Sequence, residues 1–218
     1  MATAPVLFPL WLDLAAVITS ALGGSLVAVR AKFDVTGLAA LGILTGLGGG
    51  IMRDVLLNQT PVAIQSPWYI LAAVGASATV AVLAHQTQKF VWLLLVFDAA
   101  ALGLYGVTGA NKALANGVGP IPALLVGLIA GLGGGVLCDL MTAKPPAIFQ
   151  RGHLYATAAF FGIAAYVIAV RLGAPPDTSA VFAAMVVFGL RMAARSRDWK
   201  APQPVDFARQ IKGRIDRD

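Results

Sequence analysis

Asp13, the Arg53-Asp54 pair, Asp98 and Asp139 all lie within or at the ends of long apolar stretches of this chain. A charge in such surroundings must meet a counter-charge, a hydrogen-bond donor or water, because an isolated ion in an apolar medium is costly. Asp54 closes the stretch Gly46-Leu-Gly-Gly-Gly-Ile-Met-Arg-Asp54, and Asp139 closes a near copy, Gly131-Leu-Gly-Gly-Gly-Val-Leu-Cys-Asp139. Carboxylates and backbone carbonyls are the groups that attract and ligate simple cations. Three successive glycines each weaken a helix by about 1 kcal/mol relative to alanine. Breaks are therefore expected at Gly48, Gly49 and Gly50 and again at Gly133, Gly134 and Gly135, where carbonyl oxygens or half-helix ends could meet an ion. The other reading is packing, since small residues let two helices approach closely. Two copies, each with an acid four residues after its last glycine, favour the broken helix.

The same glycines do not hold phosphate. A dinucleotide fingerprint needs glycine where Ile51 and Val136 stand, and a P-loop needs a closing Gly-Lys-Ser/Thr that is absent. No catalytic set accompanies them: His85 and His153 sit at expected helix ends, and Cys138 is the one cysteine. Neither an enzyme nor a Cys/His metal site is expected.

The elements that carry these residues are membrane helices. Of 218 residues 58% are hydrophobic and 12% charged, there is no Glu, and mean hydropathy is +0.80, against about 25% charge in a soluble domain. Residues 1 to 9 carry no Lys or Arg, so they do not open like a signal peptide. A span takes about 20 apolar residues, and seven segments approach this: 10 to 29, 37 to 57, 68 to 85, 90 to 108, 118 to 141, 153 to 170 and 178 to 194. Trp11, Trp68, Tyr69 and Trp92 fall near span ends, where amphipathic rings sit at headgroup level.

The formal charge of +6 is unevenly placed, with eight of 16 Lys and Arg at or after Arg191. A basic tail beyond a last span reads as a topology signal or an anionic-lipid contact, not a nucleic-acid site. With the N-terminus outside, thirteen Lys and Arg lie inside against Lys112 and Arg171 outside, so the positive-inside rule gives N-out, C-in.

The two glycine stretches are 85 residues apart, and Gly46 to Gln65 matches Gly131 to Gln150 at 8 of 20 positions. The same offset carries Asp13 onto Asp98. Spans 1 to 3 thus repeat as spans 4 to 6, and an odd number of spans inverts the second copy, an arrangement found in transporters and channels. The expected organisation is residues 1-89 for the first three-helix repeat, 90-176 for the second, 177-195 for a seventh helix and 196-218 for a basic cytoplasmic tail.

Asp98 lies eight apolar residues into its span, about 12 Å along a helix; it should face a cavity, hold a partner or be protonated. Asp13 stands in a first turn, where acids complement the helix dipole. Arg53 and Asp54 are neighbours that do not face each other on a helix, so Asp98 or Asp139 is a candidate partner for Arg53. Lys112 and Arg191 read as snorkelling cations.

The doubled Gly-Gly-Gly-x-x-[Arg/Cys]-Asp, the Asp-led spans 1 and 4, Gly109-Ala-Asn-Lys-Ala113 and the 3+3+1 layout resemble the prokaryotic trimeric intracellular cation channels. The resemblance covers roughly residues 10 to 195. It implies a homotrimer in the inner membrane, one pore per protomer between the repeats, and permeation by potassium and less selectively by sodium, with no cofactor. It places the pore at Gly48 to Gly50, Gly133 to Gly135, Asp13, Asp98, Arg53, Asp54 and Asp139; the glycines with Asp13 and Asp98 are taken as the ion path, and Arg53, Asp54 and Asp139, with Lys112 added, as constriction or gating ion pairs. Cys138 departs from it, standing where relatives often repeat the arginine. The alternatives are a secondary transporter of a small solute using the same inverted repeat, and a membrane scaffold whose glycines serve packing alone.

Overall fold

The computed structural model describes residues 10–87, 91–150 and 154–199. Lys89, Arg151, His153 and the basic tail beyond Trp199 lie outside the described residues. All regular structure among these residues is helical. Helices α1 (Leu10–Arg30) and α2 (Val35–Leu56) pack with α4 (Pro67–Val82), which follows the single turn α3 (Val62–Gln65) and precedes the short α5 (Ala84–Thr87). Helices α6 (Val91–Ala115) and α7 (Pro120–Met141) pack with α8 (Ala156–Arg171), which a 3-10 turn at Ala147–Phe149 precedes. The two groups meet where α1 lies on α6 and α2 on α7, and α9 (Pro176–Ser196) covers α6 and α8.

Five helices, α1, α2, α6, α7 and α9, are long and apolar enough to cross a membrane. Helices α4 and α8 have 16 residues each, about 24 Å at 1.5 Å per residue, and are shorter than the spans expected from hydropathy. The turn before each of these helices folds onto the end of the preceding long helix. The Val62 amide donates to Asp54 at 2.9 Å and the Ala147 amide to Asp139 at 2.8 Å.

Helix limits follow from local chemistry. Asp34 caps α2 by accepting from the Gly37 amide at 2.7 Å, and α4, α7 and α9 each open on proline, whose missing N–H costs nothing there. Helix α6 overruns the expected break at Asn111-Lys112. Asn111 is buried and accepts from the Tyr166 hydroxyl at 2.5 Å, so its polarity is satisfied without leaving the helix. The stop is Gly117, at φ +76°. Its amide reaches the Leu114 carbonyl and the Val118 amide reaches Ala113, both at 3.0 Å, the paired bonds of a Schellman motif. The left-handed residues Lys32 and Gly117, and likewise Asn58 and Ala143, are 85 residues apart.

The triple glycines do not break their helices. Helices α2 and α7 run continuously through them, contrary to the expectation of unwinding. A Cβ added to Gly49 would stand 2.3 Å from the Ala130 carbonyl oxygen of α7, and one on Gly134 would stand 2.6 Å from the Thr45 carbonyl oxygen of α2. The glycines let two intact backbones touch, and the close contact offsets the loss of helix propensity. Gly49→Ala should therefore lower thermal stability in detergent, by about 1–3 kcal/mol for overpacking, even though alanine is the better helix former. Gly75→Ala is the control: nothing lies within 4 Å of its added carbon, and unfolding temperature should hold or rise.

Candidate functional site

Arg53, near the end of α2, is 1% exposed, and Asp54 is fully buried. The guanidinium reaches across to α1, where Nη1 donates to Asp13 Oδ1 at 2.8 Å. It also curls back on its own neighbour, Nε donating to Asp54 Oδ1 at 2.8 Å. Adjacent residues point about 100° apart on a helix, but the long arginine stem bends across that angle. Lys112 of α6 donates to the same Asp54 Oδ1 at 2.7 Å, so it is an ion-pair partner and does not snorkel. The Tyr69 hydroxyl donates to Asp13 Oδ2 at 3.2 Å. Tyr69 is buried, not part of an interfacial belt, whereas Trp11, Trp68 and Trp92 are exposed as expected.

Asp98 and Asp139 are not partners of Arg53. Asp98, on α6, accepts from the Tyr155 hydroxyl at 3.0 Å through Oδ1 and from Arg191 Nη2 at 3.4 Å through Oδ2. Arg191 comes from α9, and its guanidinium carbon lies 4.5 Å from the centre of the Tyr155 ring. It was expected to snorkel; a carboxylate and an aromatic face hold it inside the bundle. Asp139 accepts from the Ala147 amide.

Each group of charges borders a cavity, and the two cavities share several wall positions. The first is bordered by Asp13, Gly50, Arg53, Val62, Tyr69 and Tyr105. The second has Asp98, Gly135, Cys138, Ala147, Tyr155 and Ser20 at the corresponding places. Five of these pairs are 85 residues apart, and the tyrosines at 69 and 155 differ by 86. The volumes differ greatly, about 10 Å³ for the first and about 190 Å³ for the second. About 10–15 Å³ on this measure holds one water, so the first cavity is filled and the second takes several. Two exchanges contribute to the difference: Arg53 against Cys138, and Tyr105 against Ser20. The Tyr105 hydroxyl donates to the Gly46 carbonyl, which fixes the ring across the first cavity.

A family model described as Glycine transporter matches the chain twice, at residues 10–85 and 95–171. The chain is 35% identical over 191 residues to a membrane protein of Deinococcus radiodurans, covering 87% of this chain and 88% of that one. It is 32% identical over 207 residues to the inner membrane protein YadS of Escherichia coli, covering 94% and 98%. Its fold matches the crystal structure of the trimeric intracellular cation channel orthologue from Rhodobacter sphaeroides with a TM-score of 0.79 at 37% identity, over 84% of this chain and 94% of that one. The chain belongs to the prokaryotic trimeric intracellular cation channel family.

In this family member the sequence pointed to Asp13, Arg53, Asp54, Lys112, Asp98 and Asp139, and the structure places the first four in one network and the last two beside one cavity. Gly50 and Gly135 border the cavities, while Gly48, Gly49, Gly133 and Gly134 lie at the helix crossing. Tyr69, Tyr105, Tyr155 and Arg191 were missed. The signal for Arg191 was a charge imbalance, because Cys138 leaves Asp98 without the cation its counterpart has. Arg53→Leu in this channel-family chain should cost about 3–5 kcal/mol, the usual consequence of stranding a buried charge. Adding Asp13→Asn should return part of that loss in the same thermal unfolding measurement.

Proposed function

We propose that this protein is a monovalent cation channel, permeable to potassium and less selectively to sodium, that works as a homotrimer with one pore in each protomer. The carrying observation is the charge balance of the two cavities. Asp98 and Asp139 border the larger one against the single described cation Arg191, a net formal charge of −1 (two acids, one base). At the filled end Asp13 and Asp54 meet Arg53 and Lys112, two acids against two bases. A water-filled, net acidic cavity concentrates cations and repels anions, and the neutral plug beyond it serves as the constriction. Conduction then requires Arg53 to leave the space between Asp13 and Tyr105.

The protomer is read as an inverted 3+3 repeat of seven spans, with α1 to α4 and α6 to α8 as its halves and α9 added. Support comes from the cavity walls and helix stops that recur at an offset of 85, and from the family model matching twice. The N-terminus is outside and the C-terminus inside, by the positive-inside count. The open cavity then faces the cytoplasm, since Asp98 opens the fourth span, and the basic tail lies near anionic lipid. The trimer rests on the relative from Rhodobacter sphaeroides, a trimeric intracellular cation channel orthologue. The only ligand is the permeant ion; no cofactor or catalytic step is invoked. The pore path comprises Asp13, Asp98, Gly50 and Gly135, with Arg53, Asp54, Lys112 and Asp139 at its constriction and mouth.

Single-channel recording in planar bilayers under a potassium chloride gradient should give discrete openings that reverse near the potassium equilibrium potential. Asp139→Asn should lower conductance near 0.1 M salt and have little effect near 1 M, where the screening length falls from about 10 Å to about 3 Å. Silence under all voltages, together with saturable uptake of a solute such as glycine into liposomes, would replace the channel with a transporter.

A further inference from the structure

In the first half of the chain a carboxylate on the leading helix divides its two oxygens between an arginine and a tyrosine. Asp13 gives Oδ1 to Arg53 and Oδ2 to Tyr69. The second half has the carboxylate, Asp98, and the tyrosine, Tyr155, in matching places, but position 138 is cysteine and cannot supply a cation. The arrangement is nevertheless complete, because Arg191 enters from α9 and takes the remaining Asp98 oxygen.

We infer that Arg191 of the seventh helix has taken over, in the second cavity, the place that Arg53 holds in the first, and that it thereby sets the cation occupancy of that cavity. The inference rests on the ion-path reading above. The substitution is not equivalent to the original. Arg53 meets two carboxylates at 2.8 Å, whereas Arg191 meets the one carboxylate of Asp98 at 3.4 Å and stands on the Tyr155 ring.

The position of the helix carrying each arginine also matters. Arg53 is on α2, locked at the glycine crossing with α7. Arg191 is on α9, which lies at the outside of the bundle against α6 and α8. That seam is close: a Cβ on Gly103 would stand 2.8 Å from the Ala184 carbonyl oxygen, and one on Gly162 would stand 2.2 Å from the Val187 side chain. The close seam fixes α9 on α6 and α8 and so holds the arginine beside Asp98, independently of the α2/α7 contact. The seventh helix, an appendage by sequence, is then the element that supplies the compensating charge of the open cavity. In this arrangement the thiol at Cys138 is what leaves room, since the cavity beside it is about 190 Å³, enough for a longer side chain to reach Asp98 from α7.

The test is a relocation of the charge. Arg191→Leu should raise potassium conductance near 0.1 M salt at least about twofold by leaving the acids uncompensated, with the difference fading near 1 M. Cys138→Arg alone should lower it, and the double variant Cys138→Arg/Arg191→Leu should return to within about a factor of 1.5 of the wild type on the same argument. Arg191→Gln serves if the leucine variant does not assemble, and is expected to change conductance in the same direction. A wild-type current with no response to Arg191→Gln or Arg191→Leu at low salt would overturn the inference while leaving the channel intact. A double variant that assembles and conducts but stays as altered as the single one would overturn it too. Absence of current from the wild type would instead remove the ion-path reading itself.

Discussion

A guanidinium that is almost wholly buried among membrane helices has to be neutralised at contact distance, and most of the architecture around α2 follows from how that is done. Arg53 draws Asp13 and hence α1 to the end of α2. Asp54 accepts the same guanidinium, the Lys112 ammonium of α6 and the Val62 amide, so the chain leaving α2 must turn back immediately. Tyr69 then closes on Asp13 from α4. Four helices are tied to one charge group, and removal of any member leaves the others uncompensated in a medium where charge is expensive.

The second constraint is steric. In a bilayer, helices gain no hydrophobic advantage by leaving lipid for one another, so their association depends on close packing and on polar contacts. The glycines at the α2/α7 crossing supply the first of these, and Arg53 with its partners supplies the second a turn away. The two devices are complementary: the glycines bring the backbones together, and the charges fix register and rotation. Intact helices at the crossing also mean that no unwound backbone is presented there. The charged groups nearby are side chains that border the two cavities.

On the reading of the chain as an inverted repeat, divergence at a few positions accounts for one backbone plan with two unlike ends. Corresponding positions hold Arg53 and Cys138, Tyr105 and Ser20, and these pairs turn a shared cavity into a plug at one end and an opening at the other. A channel built in this way is asymmetric by side-chain volume and charge, with little change in its helices. In this chain α9 contributes Arg191 to the larger cavity, so that Asp98, Asp139 and Arg191 border it from three helices distant in sequence.

The amino-acid sequence alone determined the helical membrane class, the 85-residue offset, the small set of charges and the place of most helix ends, because each depends on local composition, spacing or turn chemistry. Asp98 could be narrowed to facing a cavity, holding a partner or being protonated for the same reason: an acid eight apolar residues into a span has few alternatives. Tertiary structure decided the rest. Whether three glycines unwind a helix or admit a neighbour depends on what stands opposite, here Ala130 and Thr45. Whether Arg53 pairs with Asp13 or Asp98, and whether Arg191 reaches lipid or Asp98, depends on the rotation and offset of helices in contact. Those quantities are set by packing between segments far apart in the chain, and no local pattern encodes them.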